Sequence, residues 1–159
     1  MSGAAPAYHH ATAVIVGERA VVIRGESGSG KSTLAHMLLD QGALAGLFVR
    51  LVGDDRVALA AAGGRLVVRG HPAIAGLVEQ RGEGLHAVAA EPAAVVTAVV
   101  DLCTAKPARI PSETELVTDI CGVRVPRLAL LSHSFGPETA SQVISFVQRQ
   151  NVRGANKNG

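Results

Sequence analysis

The sequence predicts a single α/β domain in which helices flank a mixed sheet that has more hairpins than a plain doubly wound sheet. Three observations support this prediction. Apolar β-branched runs alternate with helix-period segments, short turns join several of the runs, and a glycine-rich loop connects a strand to a helix. At 159 residues and 48% apolar content, the chain can bury one core. We expect one domain over residues 1–150 and a disordered tail over residues 151–159, which have little to bury.

Composition argues against several kinds of partner. The 15 Lys and Arg residues against 13 Asp and Glu residues give a formal net charge of +2, and no basic stripe is interleaved with aromatic residues. We therefore expect no nucleic-acid partner. The longest apolar run, residues 93–100, is too short to cross a bilayer, and the N-terminus has no signal pattern, which favours a cytoplasmic protein with no membrane partner. Cys103 and Cys121 form no C-x-x-C pair, so reduced thiols are expected.

The first elements surround a glycine-rich loop. Residues 11–16 and 20–23 predict a hairpin that turns near Gly17, and residues 34–40 predict a helix that ends near Gly42. Between them, G-E-S-G-S-G-K-S-T matches the phosphate-binding pattern G-x-x-x-x-G-K-[ST] without a mismatch. The strand–loop–helix context favours binding of a nucleotide or another polyphosphate over a chance glycine-rich turn. The glycine-rich loop comprises Gly25, Glu26, Ser27, Gly28, Ser29, Gly30, Lys31, Ser32 and Thr33.

Each part of this loop has an expected task. Its glycines let backbone N–H groups turn towards an anion, and the helix N-terminus adds positive potential. Lys31 is expected to reach the outer phosphates, and the Ser32 hydroxyl is expected to ligate a magnesium ion.

An acidic pair follows the next predicted strand, residues 47–52. Asp54 and Asp55 stand at its carboxyl end, where one carboxylate can lie near the metal and the other can accept a proton from an incoming hydroxyl. The alternative is a solvated acidic turn. His10 would lie near the same edge if the first strand pairs beside the loop strand; otherwise it is a solvated histidine.

The middle of the chain offers weaker candidates. Residues 57–61 and 66–69 predict a hairpin closed by glycines, and residues 78–85 predict a loop or strand end. In an extended segment Glu79 and Arg81 would share a face, where a glutamate can complete a magnesium shell and an arginine can hold a phosphoryl oxygen. A charged hairpin tip is the alternative.

The last third of the chain completes the sheet. Residues 94–102 predict a buried central strand, residues 104–114 an irregular connection that carries Arg109, and residues 116–120 and 123–131 two short strands. Pro137 is expected to open a final helix. Its apolar face comprises Ala140, Val143, Ile144 and Val147.

Four runs together resemble one family. They are H-A-T-A-V from His10, the glycine-rich loop, G-D-D from Gly53, and P-A-I-A-G-L-V-E-Q-R-G-E-G-L from Pro72. The sequence is similar to the catalytic domain of HPr kinase/phosphorylase, which acts on a seryl residue of the phosphocarrier protein HPr. The last run carries the most weight, because the loop alone occurs in very many families.

This resemblance implies a P-loop-containing, phosphoenolpyruvate-carboxykinase-like fold, without the N-terminal domain that family members commonly carry. It also implies ATP (or pyrophosphate, with phosphate for the reverse reaction) and Mg²⁺ as ligands, an HPr-like phosphocarrier as substrate, and a homo-oligomer, which in the family is typically a hexamer. The glycine-arginine-asparagine run associated with the dephosphorylating reaction is not found near Val125-Pro126-Arg127. The kinase reaction is therefore the main expectation.

Carried over residue by residue, His10 matches the family's active-site histidine and Lys31 its loop lysine. Asp55, with Asp54 beside it, matches the acidic pair that holds the general base. Ser32 and Glu79 match magnesium ligands, with Asp54 near the metal. Arg109 matches the later catalytic arginine. Two other functions stay open: a small-metabolite kinase with the same loop, and a regulatory module that binds nucleotide without turnover.

Overall fold

The computed structural model describes residues 7–72, 75–80 and 82–157, and these form a curled mixed sheet with two helices against one face. The predicted fold class is confirmed. The helices are α1 (Lys31–Leu44) and α2 (Thr139–Lys157), and a short 3₁₀ turn spans Glu113–Leu116. The strands of the described residues are β1 (Tyr8–His9), β2 (Ala11–Val16), β3 (Arg19–Arg24), β4 (Val49–Gly53), β5 (Val57–Ala62), β6 (Arg65–Gly70), β7 (Leu77–Gln80), β8 (Gly84–Ala87), β9 (Ala93–Cys103), β10 (Val117–Ile120) and β11 (Val123–Leu131).

The centre of the sheet is built on β3 and β9. The main sheet runs in the order β1-β5-β6-β9-β3-β2-β4, and β11 pairs with both β9 and β10. β3 and β11 each lie parallel to β9, whereas β2 is antiparallel to β3. Because the carboxyl ends of parallel strands meet at one edge, the glycine-rich loop after β3 and the segments after β9 and β11 share that edge. The predicted hairpins and the buried central strand are confirmed.

Two apolar clusters hold the layers together. On one face, β-branched residues of β2, β3 and β9 pack against α1 and α2. On the other face, the curled hairpin β5–β6 covers alternate residues of the same strands. Both faces of β2 are buried along its whole length, which explains its continuous apolar sequence. Each fully buried Val or Leu contributes about 1.5–3 kcal/mol, so these two clusters are the main source of stability.

The helix ends differ from the sequence-based expectations. α1 does not end near Gly42 but continues to Leu44. Gly42 is buried inside it, where a β-carbon would lie 2.4 Å from Val49 Cγ1, so this glycine permits close packing on β4 and is not a cap. α2 continues to Lys157, where the sequence analysis expected a disordered tail. Within this continuation, the Asn151 amide donates a hydrogen bond to Val16 O at 3.1 Å, which connects α2 to the end of β2.

Residues 78–85 were predicted to form a loop or strand end, but residues 78–80 and 84–85 lie on two paired strands. β7 and β8 are a separate antiparallel hairpin that packs against α1, with Val78 fully buried in the helix-side cluster. Among the described residues, no helix combines the length and apolar character needed to cross a membrane.

Candidate active site

The glycine-rich loop has the backbone of an anion cradle. Gly28 and Gly30 have φ values of 78° and 106°, in the left-handed region that glycine adopts without strain. The backbone N–H of Leu34 makes the first hydrogen bond of the helical pattern of α1, to Gly30 O at 2.9 Å. The N–H groups of the first helical residues have no carbonyl partner within α1, and they stand at the positive end of the helix dipole.

Lys31 is held inside this loop. Its side chain is only 4% exposed, and its Nζ donates to Gly25 O at 3.0 Å and Glu26 O at 3.1 Å. The same Nζ lies 3.6 Å from Asp55 Oδ1. The buried ammonium is thus positioned between the loop and the acidic pair.

Asp54 points inward and accepts three hydrogen bonds. Its Oδ1 accepts from Thr12 Oγ1 at 2.9 Å and from Ser32 Oγ at 2.7 Å. Its Oδ2 accepts from the Glu79 backbone N–H at 3.3 Å. With 6% exposure, this carboxylate is one of the few buried charges of the domain. Its partners come from β2, α1 and β7, so it links three elements around the loop.

Asp55 points outward. Its backbone is left-handed, with a φ of 58°, which turns its side chain away from that of its neighbour. Asp55 Oδ1 lies 2.9 Å from His10 Nδ1, and the two side chains are 52% and 70% exposed. The structure therefore brings together His10, Lys31 and Asp55, as the sequence analysis expected.

The acidic pair follows a point where β4 and β6 cross closely, at Gly53 and Gly70. β4 carries an extra residue near Val52, since Ala13 pairs with Gly53 and Val14 with Leu51. The end of β4 then passes directly over β6: a β-carbon on Gly53 would lie 3.1 Å from Gly70 Cα, and one on Gly70 would lie 2.1 Å from Val52 O. Asp54 follows immediately.

Two cavities meet at the aspartates. One, of about 450 Å³, lies over the loop and is lined by Ser27, Gly28, Gly30, Lys31, Ser32, Thr33, Asp54, Asp55, Glu79 and His133. The other, of about 340 Å³, is lined by Tyr8, His9, His10, Asp54, Asp55 and Arg56. Asp54 and Asp55 line both cavities, so they stand where a molecule in one cavity would meet a molecule in the other. Gly25, Glu26 and Ser29 do not line the larger cavity: Ser29 is buried, and Gly25 and Glu26 supply backbone carbonyls to Lys31.

The remaining candidates have different positions. Glu79 is exposed on β7 and lines the larger cavity, on the same side as Asp54. Arg81 lies outside the described residues. Arg109 is exposed in the irregular segment after β9 and, within the described part of the chain, is not among the residues that line either cavity.

Sequence reasoning missed three residues at this site. Thr12 is fully buried and binds both aspartates, because its Oγ1 donates to Asp54 and accepts the Asp55 backbone N–H at 3.0 Å. His133, with a φ of 60°, donates its backbone N–H to Ser29 O at 3.3 Å and lines the larger cavity. The Phe135 ring lies so close over Gly30 that a β-carbon there would be 2.7 Å away. His133 and Phe135 reach the loop edge because β11 pairs parallel with β9, and this long-range pairing has no signal in the local sequence.

The donor set suits a magnesium ion. Mg²⁺ is bound by oxygen ligands, commonly one or two carboxylates with substrate phosphates and water. Asp54 Oδ1 and Ser32 Oγ are oxygen donors 2.7 Å apart beside the loop, and Glu79 lines the same cavity. No group of three or more His, Cys, Asp or Glu side chains that could hold a metal occurs among the described residues.

A second charged cluster lies on the opposite face of the sheet near the same edge. Asp101 on β9 accepts from Arg24 Nε at 2.7 Å and Arg24 Nη2 at 2.8 Å, and also from Arg127 Nε. Burial raises the pKa of Asp101, but the hydrogen bonds and charges of the two arginines outweigh burial and hold this pKa below its ordinary value. The hydrogen bond to Asp101 in turn raises the pKa of Arg127. Arg24 immediately precedes the glycine-rich loop, so this cluster anchors the strand end from which the loop starts.

These features define an α/β protein with a phosphate-loop kinase-like fold. In sequence, the chain is similar to an HPr kinase/phosphorylase of Mycoplasma mycoides subsp. mycoides SC, with 34% identity over 79 residues. That match covers 50% of this chain and only 23% of the relative's length. In fold, the chain is similar to the Hpr(Ser) kinase/phosphatase from Coxiella burnetii, with a TM-score of 0.73 and 22% identity over 94% of this chain and 99% of that one. No protein-family model matches the sequence. The sequence match and the structural match together confirm the resemblance found in the motifs.

Proposed function

We propose that this chain is a kinase of the HPr kinase/phosphorylase type, which transfers a phosphoryl group from ATP to a serine of an HPr-like phosphocarrier protein in the cytoplasm. One observation carries the proposal. The two neighbouring aspartates differ in surroundings, because Asp54 is buried against Ser32 and Thr12, whereas Asp55 is half exposed between His10 and Lys31. This arrangement suits one carboxylate for holding a metal and one for taking a proton.

The larger cavity would hold the phosphates of ATP. The backbone N–H groups of the glycine-rich loop and the N-terminus of α1 would bind phosphate oxygens, and Lys31 would move from its loop carbonyls to the outer phosphates. Asp54, Ser32 and Glu79 would hold Mg²⁺, which, when bound, supplies positive charge to the phosphates. Lys31 would stabilise the negative charge that develops on the transferred group.

The smaller cavity would admit the acceptor serine. Asp55 would take the hydroxyl proton while the serine oxygen bonds to the γ-phosphorus and the bond to the ADP oxygen breaks. His10, 2.9 Å from Asp55 Oδ1, would orient that carboxylate. In the reverse direction, phosphate would attack phosphoserine to give serine and pyrophosphate, and protonated Asp55 would return the proton to the serine oxygen. Arg81 and Arg109 remain the proposed groups for the phosphoryl oxygens.

The acceptor is proposed from the relatives. Both matched proteins carry HPr in their names. A protein acceptor also suits the smaller cavity, which is open beside β1 and whose residues His10 and Asp55 are exposed. The homo-oligomer implied by the resemblance is part of the same proposal.

The test is Asp55→Asn, with nucleotide binding and phosphotransfer measured separately. We expect ATP binding to be retained and transfer to HPr to fall by about a thousandfold, because general base catalysis is lost. Asp40→Asn, an exposed carboxylate on α1, is the matched control and should leave both unchanged. Full activity of Asp55→Asn would remove Asp55 from the mechanism.

The wild-type protein separates the alternatives in the same assay. Transfer to a member of a metabolite panel but not to HPr would identify a small-metabolite kinase. Magnesium-dependent ATP binding without transfer to any acceptor would identify a nucleotide-binding regulatory module.

A further inference from the structure

A basic cleft lies at the end of the sheet opposite the glycine-rich loop. Its volume is about 590 Å³, and four arginines stand around it: Arg19, Arg65, Arg124 and Arg153. They come from the start of β3, the β5–β6 turn, the start of β11 and the last turns of α2. The separation from the loop is the length of β3, or about 20 Å for its six residues.

The positive charge of this basic cleft is not compensated by protein groups. Within the described part of the chain, none of the four arginines forms an ion pair, and no acidic side chain lines the cleft. Asp119 is the register partner of Arg124 across the β10–β11 hairpin, yet the two form no ion pair. By contrast, Arg24 and Arg127 both bind Asp101. Unpaired guanidinium groups around a concavity attract anions and hold them through paired N–H donors.

Two buried polar side chains in the basic cleft also lack partners. Thr97 and Gln150 are each 8% exposed and line the cleft, and neither forms a side-chain hydrogen bond with any described residue. Thr97 is the extra residue of a β-bulge, since Ala20 pairs with Val96 and Val21 with Ala98. Bulges redirect side chains. Among the described residues, no polar atom of Thr97 or Gln150 is a fully buried atom without a partner, so these atoms can be reached from the cleft. Their hydroxyl and amide are therefore available to a ligand in the cleft.

We propose that the basic cleft binds a small polyanion that carries phosphate or carboxylate groups. Its charged groups would bind the arginines, and its oxygen atoms nearer the floor would bond Thr97 and Gln150. The volume falls within the range of small-molecule sites. A polynucleotide fits less well, because no aromatic side chain lines the cleft to stack with bases. This site does not depend on the kinase function proposed above.

The test is a titration with inorganic tripolyphosphate, followed by backbone amide chemical shifts of the wild-type protein. Two separate groups of amides should respond: one in the glycine-rich loop, and one around the basic cleft at Gly64, Arg124 and Gly154. The double variant Arg124→Ala/Arg153→Ala should weaken binding at the cleft about a hundredfold, since each charge-assisted contact corresponds to about tenfold. The loop group should respond as before. Both arginines are exposed and unpaired, so the variant is expected to fold.

Matched controls separate site binding from general charge effects. Arg69→Ala/Lys106→Ala removes the same charge at exposed positions away from the cleft and should leave the cleft response unchanged. Lys31→Met should weaken only the loop response. The proposal is overturned if the cleft amides stay unshifted when the loop group has saturated, or if both arginine double variants weaken the cleft response equally. It is also overturned if a single-stranded RNA shifts the cleft amides and tripolyphosphate does not.

Discussion

Two carboxylate clusters lie near the same edge of the sheet, and they differ in what they leave free for a ligand. Asp101 is 16% exposed and both of its oxygens are occupied by the guanidinium groups of Arg24 and Arg127. Asp55 is 52% exposed and contacts one exposed imidazole and one ammonium, with a cavity on each side. Position near a strand end therefore does not distinguish a carboxylate held in a structural ion pair from the carboxylate proposed to take a proton, whereas the unused acceptor capacity does.

Removing the Asp101 charge should produce the largest change in stability. Asp101→Asn leaves two guanidinium groups facing one neutral amide, and breaking a buried charge pair in this way costs about 3 kcal/mol. Urea denaturation would measure the loss. Asp119→Asn, at an exposed position on β10, should change the free energy of unfolding by less than about 0.5 kcal/mol. Equal effects of the two substitutions would contradict a structural role for Asp101.

The second-largest loss of stability is expected at Thr12, whose hydroxyl hydrogen-bonds to both residues of the acidic pair. Thr12→Val removes the hydroxyl that serves both aspartates and leaves a buried carboxylate with one donor fewer, at a cost of about 2 kcal/mol. Phosphotransfer should also fall about tenfold, through kcat and not through the KM for ATP, because the aspartates lose their alignment. Thr12→Ser keeps the hydroxyl and should retain most of the activity. A serine variant as impaired as the valine variant would assign the effect to packing.

Low pH should remove the contribution of Asp101 to the free energy of unfolding. Its pKa is lowered in the folded protein, so its stabilisation is fully present above the unfolded value of about 3.9 and is lost as pH falls through the lower folded value. The difference in urea midpoint between wild type and Asp101→Asn should be largest near about pH 6 and should shrink below about pH 4. A difference that is independent of pH would show that the asparagine variant fails for steric reasons.

The smallest effect on stability is expected at Arg109. The residue is exposed in an irregular segment, so Arg109→Ala should change the free energy of unfolding by less than about 0.5 kcal/mol. Phosphotransfer to HPr, measured on the same sample, decides whether this arginine reaches the phosphoryl oxygens when substrates are bound. Unchanged transfer would remove it from the proposed site.

Local sequence patterns predicted the core of the site because its parts lie at strand and helix ends that short-range signals define. The G-x-x-x-x-G-K-[ST] pattern placed Lys31 and Ser32, and the strand before Asp54 placed the acidic pair opposite them. The role of Thr12 was not predicted, because a threonine inside an apolar strand gives no sign that its hydroxyl will bond a carboxylate 42 residues away. The prediction that α1 ends near Gly42 was wrong for a related reason. A glycine in a helical sequence is compatible with a helix end and with a close packing contact, and only the position of Val49 in the fold distinguishes the two.

The crossing of Gly53 and Gly70 affects how this chain can tolerate change. Neither glycine has a left-handed backbone, so clearance alone requires them. One methyl group at position 70 would collide with the Val52 carbonyl and displace β4 just before the acidic pair begins. Displacements of this kind, on the order of an ångström, can lower a reaction rate by about a hundredfold. A mutational scan of phosphotransfer would thus find position 70 as sensitive as the proposed reacting groups, although Gly70 has no functional group and is not proposed to contact a substrate.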